Sequence, residues 1–188
     1  MTKFFGNLHL VLAVGLIMAF AVAFGIHGAD AVTANAVTRW LHTIFGIVWI
    51  GLLYYFNFVQ IPTMPKIPAE LKPGISKHIA PSALFFFRWG AALTVLTGII
   101  VAILSGYAHE AFTLQEPFKL IGVGMYLALI MAFNVWFIIW PNQRKALGIV
   151  EADDATKAKS ATTAMMTSRL NTLLSLPMLY CMVSANGG

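Results

Sequence analysis

Five long apolar stretches are the feature of this sequence that most constrains its fold. They lie near 8–27, 38–60, 83–106, 118–140 and 164–185. A helix rises about 1.5 Å per residue, so about 20 apolar residues cross the roughly 30 Å hydrocarbon core of a bilayer. The sequence therefore predicts an all-α integral membrane bundle of five transmembrane helices, forming a single domain over 1–188.

The composition agrees with a membrane protein and excludes an ordinary soluble domain. Hydrophobic residues make up 59% of the chain, charged residues 10%, and the mean hydropathy is +0.79. Soluble domains carry about 25% charged residues, so this chain has too few polar side chains to cover a globule. The net charge of +5 lies in loops beside the apolar stretches. It therefore indicates orientation in a lipid bilayer, and we expect no nucleic-acid partner.

The first apolar stretch could be mistaken for a cleaved signal peptide, because Lys3 precedes it. Its apolar core runs from Leu8 to Ile26, which exceeds the roughly 7–15 apolar residues of a signal peptide. We therefore predict a retained transmembrane helix.

Two connecting segments separate the later spans. The segment 61–81 contains Pro62, Pro65, Pro68, Pro73 and Pro81. Because proline removes a backbone donor, this density predicts an ordered or interfacial loop in place of a continuous helix. The segment 141–163 mixes both charge signs with good helix formers. It is interpreted as a solvated connector, with a helical extension of the fourth span as the alternative.

The distribution of cations predicts the orientation of the bundle. With the N-terminus inside, the inner face receives Lys3, Lys66, Lys72, Lys77, Arg88, Arg144, Lys145, Lys157, Lys159 and Arg169. The outer face receives only Arg39 and Lys119. Because cytoplasmic loops are enriched in Lys and Arg, the prediction is a cytoplasmic N-terminus and a periplasmic C-terminus.

His42 is the most specific candidate for chemistry. It lies about one turn into the second span, where a polar side chain is costly and needs a partner or a function. Imidazole is a common iron ligand, and Gly46 on the same helical face leaves room for a flat macrocycle. The alternative is a histidine hydrogen-bonded to a carbonyl or water. A haem here would be non-covalent, because Cys181 is the only cysteine and no C-x-x-C-H motif is present.

Lys119 is the predicted second metal ligand. It opens the fourth span at the same outer level as His42, and a desolvated, unprotonated lysine can bind iron. His27 and His109, also on the outer side, are competing second ligands. A lysine that only reaches the interface is the structural alternative.

Arg88 and Arg169 form a second, inner group of polar residues. Each lies about two turns inside its span, and all seven acidic residues fall outside the predicted spans. The partner of each arginine must therefore be something other than a carboxylate of its own span. Lipid phosphate, haem propionates, a bound anionic substrate and a neighbouring subunit are the options.

Four segments carry a resemblance to a known family. They are 40–60, with WLHTIFGIVWIGLLYYFNFVQ, and 86–90, 130–143 and 168–178, the last with SRLNTLLSLPM. They resemble the membrane domain of the bacterial urate oxidase linked to cytochrome c, especially its short stand-alone members. The resemblance implies a bacterial inner-membrane oxidoreductase that passes electrons to a separate cytochrome.

A more distant resemblance concerns the ligands. From about 39 to 184 the order of four spans is similar to the membrane-bound haem-b protoporphyrinogen oxidase family. That similarity implies haem b, with His42 at the position of the family's haem histidine and Lys119, before Leu120, at that of its lysine ligand. The leading hypothesis is a haem-b membrane redox or electron-transfer protein. The alternative is a non-enzymatic accessory subunit of a larger membrane complex.

Overall fold

The structure is a computed structural model that describes residues 2–185, and within that range the chain is helical with no strand. The five long helices are α1 (Leu8–His27), α2 (Ala34–Lys66), α3 (Lys72–Leu104), α4 (Lys119–Ala146) and α5 (Asp154–Ser184). Short helices at Thr2–Phe5 and Ala108–Phe112 precede α1 and α4. The all-α prediction is confirmed.

Helices α1 to α4 are long and apolar enough to cross a membrane. Helix α5 covers the fifth predicted span but is more polar, because Arg169, Asn171 and several serines and threonines interrupt its apolar residues. The structure therefore supports four membrane-spanning helices by length and composition. The fifth span and the orientation remain predictions.

The prediction of a loop over 61–81 is wrong for most of that segment. The chain stays helical to Lys66 and becomes helical again at Lys72. The helix widens into π-helical turns at Tyr55–Gln60 and Ile75–Ile79, each followed by a proline in the next α-helical turn. The wider turn accommodates a residue that cannot donate to the preceding carbonyl, so the helix continues through the proline.

The connector between α4 and α5 is shorter than predicted. Helix α4 extends to Ala146 and α5 begins at Asp154, so only part of 141–163 is non-helical. The Asp153 carboxylate caps α5 by accepting a hydrogen bond from the Thr156 amide at 2.6 Å. Hydrogen bonds from Thr156 lower the pKa of the Asp153 carboxyl.

The buried core lies between α2, α3, α4 and α5. Its fully buried large side chains are Trp49, Leu53, Phe87, Met131, Val135, Asn171 and Ser175. Helices α2 and α3 approach closely at Gly90, where an added Cβ would lie 3.2 Å from the Trp49 amide nitrogen. Helix α1 has no buried residue. Its Phe20 ring lies beside Trp40 of α2, with the two ring centroids 6.4 Å apart.

A polar network lies inside this core. The Asn134 amide donates to Asn171 Oδ1 at 2.8 Å, and the Asn171 amide donates to the Met131 carbonyl at 2.9 Å. Asn171 is fully buried and Asn134 is 6% exposed. The two amides join α4 to α5 at a depth where water cannot replace a lost hydrogen bond.

Substituting Asn171 with alanine should destabilise the bundle. The change leaves the Asn134 amide without its acceptor and opens a void, so we expect the free energy of unfolding to fall by about 1–3 kcal/mol. Thermal unfolding of detergent-purified protein measures the effect. Asn35→Ala is the control, because the Asn35 amide bonds Ser105 Oγ in a partly buried site near the helix ends. Equal losses of stability in the two variants would show that the buried network stabilises the bundle no more than a partly buried hydrogen bond does.

Candidate functional site

A cavity of about 630 Å³ lies between α2, α3, α4 and α5. This volume falls within the roughly 300–1,000 Å³ typical of small-molecule and cofactor sites. Most of the lining is apolar and includes Ile47, Ile50, Val95, Ile99, Leu129 and Leu179. Polar side chains are contributed by Arg39, His42, Thr43 and Thr94. The cavity can therefore enclose a largely apolar ligand and present an imidazole and a cation to it.

The imidazole of His42 is fixed by hydrogen bonds to α3. Its Nδ1 lies 2.9 Å from the Thr94 carbonyl oxygen and 3.3 Å from Thr97 Oγ1. A carbonyl can only accept, so this contact assigns the proton to Nδ1 and leaves a lone pair on Nε2. No hydrogen bond reaches Nε2 from residues 2–185. Histidines that bind metals are commonly oriented in this way, with the second ring nitrogen donating to a carbonyl.

Two glycines give the His42 ring and the cavity their space. A Cβ at Gly98 of α3 would lie 2.9 Å from His42 Cε1 and 3.2 Å from Nδ1. The ring can therefore reach the α3 backbone only because residue 98 has no side chain. A Cβ at Gly46 would meet only Thr94 Cγ2, at 3.9 Å. Helix packing does not require glycine there, and the missing side chain enlarges the cavity that Gly46 lines.

The wall supplied by α4 and α5 carries sulfur atoms. Met125 of α4 and Met178 and Met182 of α5 line the cavity together with the α2 and α3 residues. Met178 is 4% exposed and belongs to the buried core. Thioethers are soft ligands as well as adaptable packing groups. From the sequence, Met178 is a possible soft ligand or a packing residue, whereas nothing in the spacing of Met125 and Met182 shows that they face the helix of His42.

The short helix Ala108–Phe112 contributes one residue, Phe112, to the cavity. The Tyr126 hydroxyl donates to the Phe112 carbonyl at 2.8 Å. At Gly122 a Cβ would collide with the Ala111 carbonyl, so the short helix lies directly against the α4 backbone. The segment between α3 and α4 is thereby held against the cavity.

Arg39 supplies the positive charge of the cavity. Its side chain is exposed, and no carboxylate lies within ion-pair distance, since the one ion pair in the described part of the chain joins Lys157 and Asp154. Burial raises the pKa of the Tyr107 hydroxyl, and the charge of nearby Arg39 opposes that shift. Because Arg39 has no carboxylate partner in the described part of the chain, its guanidinium is available to an anionic group of a cavity ligand. The one sequence signal that Arg39 shares a site with His42 is their spacing of three residues, which places both side chains on the same face of a helix.

A comparison with known families identifies the relationship of the chain. The family model described as urate oxidase N-terminal matches residues 86–186, slightly more than half of the sequence. The chain belongs to the urate oxidase N-terminal family. No curated protein and no solved structure matches the chain. The predicted membership in the urate oxidase family is confirmed, while the similarity to haem-b protoporphyrinogen oxidases remains a prediction.

The matched region of this urate oxidase N-terminal family member begins in α3 and takes in α4. It contains Gly98 and the methionines of the cavity wall, whereas Arg39 and His42 lie outside it on α2. The family match therefore covers the α3, α4 and α5 walls of the cavity, and only the α2 wall lies outside it. The role of the α2 residues depends on the geometry alone.

Several residues predicted for the site do not line the cavity. They are Lys119, Arg88, Arg169, His27 and His109. Lys119 is exposed at the start of α4. Arg169 lines a separate, shallow groove of about 450 Å³ with Asn57, and the Arg88 guanidinium lies over Trp140, with its carbon 3.7 Å from the ring centroid. Of the predicted residues, the structure brings together His42 and Gly46, and the roles of the others remain predictions.

Proposed function

We propose that this member of the urate oxidase N-terminal family is a membrane redox protein that would hold haem b non-covalently, with His42 as an iron ligand. The observation that carries the proposal is the hydrogen bond from His42 Nδ1 to the Thr94 carbonyl beside a large apolar cavity. It leaves Nε2 as a lone-pair donor with a fixed ring orientation.

The residues present fit a haem better than a bare metal ion. Among residues 2–185 no three His, Cys, Asp or Glu side chains gather as metal ligands. A porphyrin brings four nitrogen ligands of its own, so a single imidazole on an apolar cavity is a sufficient protein donor. The cavity offers an apolar lining, and Arg39 can pair with a propionate. When bound, haem would supply one-electron redox chemistry tuned by its ligands and by the low dielectric.

The candidates for a second iron ligand are Lys119 and the methionines of the cavity wall, and His27 and His109, which do not line the cavity, are the alternatives that the sequence offers. Lys119 is the predicted ligand, and to serve it must turn inward from its exposed position at the start of α4. Met125, Met178 and Met182 already line the cavity, and each carries a thioether that could serve as a ligand. A second protein ligand would favour electron transfer, whereas its absence would favour catalysis on a small molecule.

The proposal includes a five-span topology in the bacterial inner membrane. Helix α5 packs along α4 and shares the buried Asn134–Asn171 contact, which supports its passage through the bilayer with the other helices. With a cytoplasmic N-terminus, the His42 end of α2 lies on the periplasmic side, within reach of a separate periplasmic cytochrome. The family name makes a urate-related oxidation the first reaction to test.

An accessory subunit of a larger membrane complex is the second candidate function. Helix α1 favours it, because α1 is strongly apolar yet contributes no buried residue to the bundle. A partner helix could cover this surface, although lipid would also satisfy it.

Spectroscopy of the purified full chain tests the haem proposal. We expect a reduced-minus-oxidised difference spectrum of a b-type cytochrome and a pyridine haemochrome assay near one haem per chain, that is, about one porphyrin per His42 site. Chain that is monodisperse in detergent and stays colourless after incubation with haemin would overturn the proposal. Colourless chain that copurifies with a larger assembly would favour the accessory subunit.

A further inference from the structure

Two arginines from different helices converge on the indole ring of Trp140. The guanidinium carbon of Arg88, on α3, lies 3.7 Å from the ring centroid, and that of Arg144, on α4, lies 5.9 Å from it. Phe85 adds a second aromatic ring, 5.6 Å from the Arg88 guanidinium. The Trp136 indole donates to the Arg88 carbonyl at 3.0 Å and ties α4 to this turn of α3. The Arg88 side chain is therefore held in place against aromatic rings.

The two cations have no anionic partner in residues 2–185. The ion pair of Lys157 with Asp154 is the one that the described chain contains, and neither arginine takes part in it. The Nη1 atom of Arg88 is buried and has no hydrogen-bond acceptor. Two like charges at one ring repel each other, and a buried donor without an acceptor is costly. An anion with several oxygen acceptors would remove both costs.

We propose that Arg88 and Arg144 form an anion site at Trp140 that binds a phosphate group. A phosphate offers enough oxygens to serve two guanidinium groups at once, and arginine matches its geometry. Helix α4 ends at Ala146, two residues after Arg144, so the site lies where the chain leaves the apolar span. A phosphodiester of an anionic lipid headgroup reaches this level from the bilayer, and free phosphate reaches it from water.

The site is separate from the cavity, since Arg88, Trp140 and Arg144 do not line it. Phosphate binding at Trp140 therefore does not depend on haem binding. A phosphate held by Arg88 and Arg144 would bridge α3 to the end of α4, so it should stabilise the bundle.

Thermal unfolding of the full chain, stripped of lipid in a neutral detergent, tests the site. The probes are short-chain phosphatidylglycerol, inorganic phosphate and a neutral diacylglycerol. We expect phosphatidylglycerol to raise the melting temperature and the neutral lipid to leave it unchanged. Arg88→Gln and Arg144→Gln should each weaken the apparent affinity about tenfold. Stabilisation by inorganic phosphate that the same variants lose would assign the site to free phosphate.

Lys145→Gln is the matched control, because Lys145 is an exposed cation beside Arg144. It removes the same charge and should leave the affinity unchanged. An equal loss in Lys145→Gln would overturn the site in favour of unspecific surface charge, and so would failure of both phosphate probes to stabilise the wild-type chain. If Arg88→Gln does not fold, Arg144→Gln on the exposed surface keeps the test decisive.

Discussion

Replacing His42 with alanine is expected to abolish haem binding while the helical bundle still forms. The imidazole is the proposed iron ligand, His42 lines the cavity, and the hydrogen bond from its Nδ1 to the Thr94 carbonyl fixes the orientation of the ring. Loss of a supporting hydrogen bond alone typically lowers metal affinity about 10–100-fold, so loss of the ligand should exceed that range. The measurement is the ratio of pyridine haemochrome to protein in detergent-purified chain, with circular dichroism reporting helix content.

Two other histidines provide matched controls for this experiment. His27 and His109 are exposed and do not line the cavity, so alanine at either position should leave the haem content unchanged. His42→Gly should regain part of the haem when imidazole is added, because the free base can occupy the space of the missing ring. Full haem occupancy in His42→Ala would place the iron elsewhere, whereas loss of haem in His109→Ala would identify His109 as the second ligand.

The sequence predicted the parts of the fold that depend on local patterns. Length and hydropathy identified all five long helices, because the cost of exposing backbone groups to lipid makes helix the default for an apolar stretch. The extent of α2 past Pro62 was missed, since whether a proline ends or bends a helix depends on the π-helical turn before it. The apolar pattern of the sequence gives no sign of that turn.

Only part of the candidate site could likewise be predicted from the sequence. His42 could be found because a polar side chain within an apolar span is conspicuous. Its partners could not, because Thr94 and Thr97 lie on another helix and are ordinary residues of an apolar stretch. Arg39 was interpreted only as an orienting charge, although it lines the cavity. Contacts between helices, rather than spacing along one helix, decide which side chains share a site.

Gly98 shows the same dependence on contacts between helices. Glycine in an apolar span is typical of close helix packing. Gly90 has that role, since a Cβ there would press on the Trp49 backbone. At Gly98 the close neighbour is the His42 ring instead. Gly98 therefore acts as a positioning residue for the proposed ligand.

Valine in place of Gly98 should displace the imidazole and weaken haem binding. A Cβ would lie 2.9 Å from His42 Cε1, so the ring must move and its Nδ1 contact with the Thr94 carbonyl is lost. Because outer contacts of this kind contribute about 10–100-fold to metal affinity, we expect a loss in that range. Haemin titration measures the affinity, and the midpoint potential of any retained haem should also shift, which a general loss of stability would not cause.

Gly15→Val is the matched control for this substitution. Gly15 lies in the apolar helix α1, and no atom lies within 4 Å of a Cβ added there. The control introduces the same side chain into a membrane helix, so it should leave both haem affinity and potential unchanged. Wild-type affinity and an unchanged spectrum in Gly98→Val would mean that the ring position set by α3 is not needed for ligation. The hydrogen bond to Thr94 would then no longer support His42 as the proposed iron ligand.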